Sequence, residues 1–290
     1  MLQRPSQSET RDQASRLREM VRGGQGSPVT LAILSGKGGV GKTNVAVNLA
    51  ICLAARRLRV ALVDLDMGLA NADLLMGLQP RHTLAQVIGG IRTLDEIIME
   101  GPGGVRFVPG ASGLHQVANL SEFERQSLLT HLQKLEDSTD ILVFDCGAGI
   151  SRNVIRFALA AQRVMVVTTP EPTAITDAYA TIKILNRERF AGPIGLLVNK
   201  VVHREEAEAV FRRLAGVSQK FLNFPIAYLG YVLQDASVAL AVQARCPFVV
   251  RFPGSNASAC IAAVADSVVR NQSNQSRREG FFRRVAGLFF

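Results

Sequence analysis

Short apolar runs alternate with longer amphipathic stretches from residue 29 to about 270. The runs are VTLAILS (29–35), RVALVDLD (59–66), VRFVPG (105–110), DILVFDC (140–146), RVMVVTTP (163–170), PIGLLVNK (193–200) and PIAYLGYV (225–232). Several are almost continuously apolar, the pattern of strands covered on both faces. Helical spacing fills the intervals, for example at 43–57, 121–136, 173–189 and 203–219. This alternation predicts right-handed crossovers and a doubly wound, mostly parallel α/β sheet. In such sheets ligands bind beyond the carboxyl ends of the strands. The flanks differ in composition. Residues 1–22 are polar and charged, 23–28 (GGQGSP) and 271–276 (NQSNQS) read as linkers, and 277–290 (RREGFFRRVAGLFF) form a distinct tail. The expected organisation is one domain, 29–270, with short extensions at both ends.

Composition narrows the class. With 48% apolar and 20% charged residues in 290, neither a disordered nor a fibrous chain is expected. No uncharged apolar run reaches 18 residues, so no spanning helix is expected. The polar start, MLQRPSQSETRDQ, predicts no secretory signal. Cys52, Cys146, Cys246 and Cys260 are widely spaced, with no C-x-x-C pair. They read as small buried residues in a reducing cytosol. The net charge of +9 draws acidic partners without choosing among nucleic acid, anionic lipid and nucleotide.

Residues 36–43, GKGGVGKT, fit G-x-x-x-x-G-K-[ST] between a predicted strand and a predicted helix. Gly36, Gly38, Gly39, Val40 and Gly41 let successive backbone N–H groups curl around phosphate oxygens. The helix that continues through Asn44 presents its positive end to the same anion. Lys42 reaches the β- and γ-phosphates, and Thr43 offers its hydroxyl to Mg²⁺. ATP and Mg²⁺ are the expected ligands.

Acidic residues follow the next strands. In DLDMGLANADLLMG (64–77), Asp64 and Asp66 lie two apart and share one side of an extended segment. Like charges so placed are costly unless a cation or a reactive water uses them. Asp145 ends the strand ILVFDC, where an aspartate holds Mg²⁺ through water.

With Lys37 in second position, K-G-G-V-G-K-T resembles the deviant Walker A ATPases of the MinD/ParA group, within the SIMIBI class of P-loop NTPases. The resemblance implies that Lys37 reaches the partner's phosphates in an ATP-sandwiched homodimer. It implies that Asp66 positions the attacking water, that Asp64 supports the Mg²⁺ shell, and that Asn71 and Asp73 lie near the dimer interface. DCGAGI (145–150) is similar to the group's second switch; division-type MinD usually carries Pro where this chain has Gly147. Asn199 matches an asparagine that reads adenine, with strand-end capping as the alternative. Glu171 matches a position near the ribose and the dimer seam. Residues 229–248 resemble the segment that closes over the nucleotide, where Asp235 caps a helix or serves the site.

DQASRLR (12–18) matches D-Q-A-x-x-L-R through Asp12, Gln13, Ala14, Leu17 and Arg18. This is the N-terminal motif of flagellar-number regulators of the FlhG/FleN/YlxH family, which implies activation of an FlhF-type signal-recognition GTPase. EPTAITDAYATIKILNR (171–187) is also similar to flagellar members. Other implied partners are flagellar switch-complex proteins or a flagellar transcription regulator. The tail places Phe281, Phe282, Val285, Leu288 and Phe289 on one helical face, with Arg283 and Arg284 towards the other. It reads as an interfacial helix for anionic lipid. One tail binds weakly and two on a dimer bind with avidity. The alternative is a tail docked on its own domain, and both hold if it docks in the monomer and is released in the dimer.

These features predict a slow, switch-type ATPase that governs flagellar number or placement. It would be cytoplasmic, and peripheral on the inner face of the plasma membrane when ATP-bound. Alternatives are a ParA-type DNA-segregation ATPase, a division-site MinD, an iron–sulfur relative and a nucleotide-gated adaptor without hydrolysis. DQASRLR and the apolar tail disfavour the first two and nucleic acid as a partner. The lack of paired cysteines disfavours the third. Intact Lys42, Thr43, Asp66 and Asp145 disfavour the last.

Overall fold

The computed structural model describes residues 28–66, 71–110, 132–270 and 280–289. The strands are β1 (Val29–Leu34), β2 (Val60–Leu65), β3 (Met99–Glu100), β4 (Arg106–Val108), β5 (Ile141–Cys146), β6 (Arg163–Thr168), β7 (Ile194–Val201) and β8 (Ala227–Leu233). They form one sheet in the order β3-β4-β2-β5-β1-β6-β7-β8. Every pairing is parallel except the short β3–β4 edge. All seven predicted strands are present. β3 was not expected; two residues are too few to carry a period.

Strand β1 sits inside the sheet, between β5 and β6. Chain order reverses here: the chain leaves β1 towards β2 on one side and later returns to β6 on the other. That reversal opens the ligand crevice at the carboxyl ends. Alternate residues of β1 serve two cores. Leu31 and Ile33 face α1 (Lys42–Ala54) and α10 (Asn256–Arg270). Ala32 and Leu34 belong to the other face, with α5 (Arg152–Ala160), α6 (Pro172–Arg187) and α7 (Arg204–Leu222). Both sides of the strand are therefore buried, which is why its sequence shows no polar alternation.

Helix α1 is buried on nearly all sides because it is wedged between the sheet and α10. Short helices α2 (Ala72–Met76), α3 (Leu84–Ile88) and α4 (Leu94–Ile97) precede β3, and α8 (Ala236–Gln243) and α9 (Phe248–Arg251) follow β8. Residues 132–137 are helical, so the end of the predicted 121–136 helix is present and the rest lies outside the described residues.

The tail forms helix α11 (Phe281–Phe289), and it is docked. Phe281 stacks on Phe144 of β5 with ring centroids 4.0 Å apart, and Phe282 meets both rings edge-on. Phe281 is 1% exposed and Phe282 7%. Glu136 caps the helix by accepting the Phe282 N–H at 2.9 Å. Val285 packs on the same core, Leu288 and Arg283 are exposed, and Arg284 is half-buried rather than turned to solvent. In this state the expected lipid-facing surface is thus largely covered by the protein's own domain. Phe290 and the two linkers before residue 28 and between 271 and 276 lie outside the described residues. Among the described residues no helix is long and apolar enough to cross a membrane. The four cysteines are free. Only Cys146 is buried; Cys52, Cys246 and Cys260 are half-buried, which corrects the expectation for those three.

Candidate nucleotide site

The loop 36–41 leaves β1 and enters α1 at Lys42. Gly39 (φ 80°) and Gly41 (φ 88°) are left-handed, a region that favours glycine. Gly36 is required for a different reason: a side chain there would strike the Asp177 backbone of α6. The loop is therefore pressed between α1 and α6 with its amide-bearing turn at the crevice.

Lys42, Asp64 and Asp145 meet at the carboxyl ends of β2 and β5. Asp64 and Asp145 are register partners in neighbouring strands, and both are fully buried. Lys42, 6% exposed, forms an ion pair with Asp145 Oδ1. Thr43 as well as Lys42 favours the ionised Asp145 carboxylate, so the loop's threonine and lysine act on one acid. Burial raises the Asp145 carboxyl, and Lys42 opposes that rise. Burial and then the Asp145 charge push Asp64 up to about 7, against the Asp66 N–H that its Oδ1 accepts at 2.9 Å. Cys146 is pushed up to about 12 by burial, so it packs as a neutral thiol.

Three buried oxygens at this corner, Asp64 Oδ2, Asp145 Oδ2 and Ser35 Oγ, have no hydrogen-bond partner within the protein. Buried polar atoms are normally satisfied. Two carboxylate oxygens and a threonine hydroxyl suit Mg²⁺, which keeps several waters and takes its remaining ligands from substrate phosphates. No group of three or more His, Cys, Asp or Glu that could hold a metal occurs among the described residues. Asp66 lies just beyond: a side chain built on Gly147 would begin 3.5 Å from its Oδ1.

Lys37 is held within its own chain. Its ammonium donates to Glu171 Oε2 and Thr173 Oγ1, each at 3.0 Å. Lys37 holds the Glu171 carboxyl below the usual range. Both side chains are well exposed, so the pair is weakly held and exchangeable. Asn199 Nδ2 donates to the Val40 carbonyl at 2.8 Å, and its Oδ1 accepts the Lys200 N–H. One amide hydrogen and one lone pair remain for a base edge. The Asn44 carbonyl accepts from Asn48. Asn71 precedes α2 without a side-chain cap, and Asp73 accepts the Leu74 N–H. Asp235 caps α8 through the Ser237 N–H and reaches the Ala257 N–H, so capping accounts for it.

The structure thus brings together residues 36–44, Asp64, Asp66, Asp145, Glu171 and Asn199. It keeps the tail residues on the other face of β5. Asp12, Gln13, Ala14, Leu17 and Arg18 lie outside the described residues. Thr173 and Lys200 were missed. Thr173 follows Glu171 by two, but no spacing rule marked it.

A model of the CobQ/CobB/MinD/ParA nucleotide binding domain matches residues 31–247. The chain belongs to that family. Antiactivator FleN of Pseudomonas aeruginosa is 44% identical over 238 residues, covering 82% of this chain and 85% of FleN. The flagellum site-determining protein YlxH of Helicobacter pylori is 35% identical over 222 residues, 76% of this chain and 75% of YlxH. The chain therefore sits in the FleN/YlxH branch. Among solved structures, Pyrococcus horikoshii MinD complexed with Mg-ADP superposes with a TM-score of 0.66 at 26% identity, covering 83% and 96% of the two chains. The Pyrococcus furiosus cell division ATPase MinD gives 0.67 at 25%, covering 84% and 99%. This MinD/ParA-family chain is a P-loop ATPase, with ATP and Mg²⁺ as its ligands.

The raised Asp64 carboxyl sets a pH dependence. Between about pH 4 and 7 the unfolded chain has this acid ionised and the folded, nucleotide-free chain has it protonated. The unfolded state binds fewer protons, so stability falls as pH rises through that window and levels off above it. The expected loss is at most about 4 kcal/mol. Urea unfolding at a series of pH values should show the slope in the wild type and a flatter one in Asp64→Asn. Identical slopes would contradict the assignment.

Proposed function

We propose that this chain is an ATP-switched, membrane-cycling regulator of flagellar number or placement. The observation that carries this reading is on β5. Asp145 faces the nucleotide corner, and its neighbour Phe144 lies under Phe281 of the docked tail. One strand therefore joins the site that senses nucleotide to the surface that hides the lipid-binding face. YlxH is named for determining the flagellum site, which supports the flagellar reading; the docked tail supports the membrane cycle.

In the ATP state two copies sandwich two nucleotides. Asp66 holds the attacking water in line with the γ-phosphate. Lys42 leaves Asp145 for the β- and γ-oxygens, and the partner's Lys37 leaves Glu171 and Thr173 to reach the same phosphates. Both ammonium groups then stabilise developing charge. Thr43, Asp145 and Asp64 would hold Mg²⁺, which would supply charge neutralisation to the phosphates. Turnover is slow, so the ATP state persists. Dimerisation frees two tails, and Phe281, Phe282, Val285, Leu288 and Phe289 enter the membrane interface with Arg283 and Arg284 on anionic headgroups. Hydrolysis returns the monomer. The segment around Gln13 and Arg18 folds onto an FlhF-type GTPase and activates it.

Asp66→Ala in saturating Mg-ATP should be a dimer by light scattering and should co-sediment with anionic vesicles. Mg-ADP should leave it monomeric and in the supernatant. A monomer in Mg-ATP would sink the switch. Separately, a peptide of residues 1–27 should accelerate GTP hydrolysis by the FlhF-type GTPase of the same cell. Gln13→Ala and Arg18→Ala peptides should not; equal rates with all three would remove the activator role.

A further inference from the structure

The end of β7 carries a device that lies outside the phosphate-loop motif. Side chains along a strand alternate between faces, so Asn199 and Lys200 would ordinarily point to opposite sides of the sheet. Here they do not. Asn199 pairs with Val232 and Val201 with Leu233, which leaves Lys200 as the extra residue of a bulge. Its φ is 59°, in the left-handed region that lysine adopts at an energetic cost. Bulges re-aim side chains and recur beside functional sites.

The result is that two consecutive side chains grip two consecutive carbonyls of the phosphate loop. Asn199 Nδ2 donates to the Val40 carbonyl and Lys200 Nζ to the Gly39 carbonyl, each at 2.8 Å. Asn199 Oδ1 accepts the Lys200 N–H at 2.9 Å, which fixes the bend. Val40 is anchored in the core, but the Lys200 contact falls where the loop has little packing of its own: side chains built on Gly38 or Gly39 would meet open space. A phosphate cradle needs successive N–H groups turned inward, and hence carbonyls turned outward. Holding the carbonyls from outside performs that task before any ligand arrives.

We infer that Lys200 is a positioning residue for nucleotide binding, presetting the phosphate loop through the Gly39 carbonyl. Its contact is with the loop backbone. A preset loop gives up less freedom on binding, so its apparent affinity is higher. Once phosphates occupy the cradle they order the loop themselves. Losing the ammonium should therefore weaken binding of ADP and ATP alike and leave the chemical step nearly unchanged.

The test uses the full chain with Lys200→Gly, Lys200→Met and Lys200→Arg. Glycine relieves the left-handed backbone and keeps the bend while removing the ammonium. Arginine keeps a cationic donor, and this chain already holds Arg57, Arg189 and Arg245 at positive φ. Titration with fluorescent ADP and ATP analogues in Mg²⁺ should show about tenfold weaker binding of both by the Gly and Met variants. The Arg variant should bind within about twofold of wild type. The kcat at saturating ATP should stay within about twofold throughout. The nucleotide-free melting temperature of Lys200→Gly should equal or exceed that of wild type. Wild-type affinity in Lys200→Gly would overturn the inference, because the bend alone would then suffice. A fall in kcat at unchanged affinity would also overturn it.

Discussion

Two carboxylates and one ammonium share a water-poor corner at the carboxyl ends of β2 and β5. Burying three charges there is unfavourable unless they compensate one another. Lys42 pairs with Asp145 and offsets only part of the cost at Asp64, whose carboxyl rises to about 7. The corner is therefore electrostatically incomplete as the chain folds. In the proposed ATP state Lys42 would turn from Asp145 to the phosphates, and Asp64, Asp145 and the Thr43 hydroxyl would hold the Mg²⁺.

That imbalance sits on a strand with a second task. β5 presents Asp145 to the site and Phe144 to α11. The loop pieces around it are held by contacts of graded strength. The Lys37–Glu171 pair is exposed and easily exchanged. The Gly36–Asp177 packing is rigid. The clamp from Asn199 and Lys200 fixes the loop from outside. Of these three contacts, the exposed ion pair is the one the proposed dimer would exchange.

The apolar runs marked every strand but β3, most plainly β1, β2, β5 and β6, where strands covered on both faces leave continuous hydrophobic sequence. GKGGVGKT located the cradle because phosphate binding restricts both residue type and spacing. Asp64 and Asp145 were readable as strand-end acids. Their pairing across β2 and β5 was not, since register between strands 81 residues apart in sequence leaves no local trace. The bulge at Lys200 was invisible for a similar reason: nothing in LLVNK distinguishes a straight strand end from a bent one. The tail shows a different limit. A helical wheel reports that Phe281 and Phe282 need an apolar surface, and lipid and Phe144 satisfy that need equally well. Arg284, assigned to the polar side by the wheel, is half-buried because the docked helix is tucked against the body near Leu159 and Phe190.

The central claim is that the nucleotide state governs the docking of α11. Deuterium exchange of the amides in 281–289 tests it directly, using full-length Asp66→Ala without nucleotide, with Mg-ADP and with Mg-ATP. The account predicts protected amides in the first two conditions and at least about tenfold faster exchange in Mg-ATP, as expected for a released helix. Equal protection in all three would contradict it.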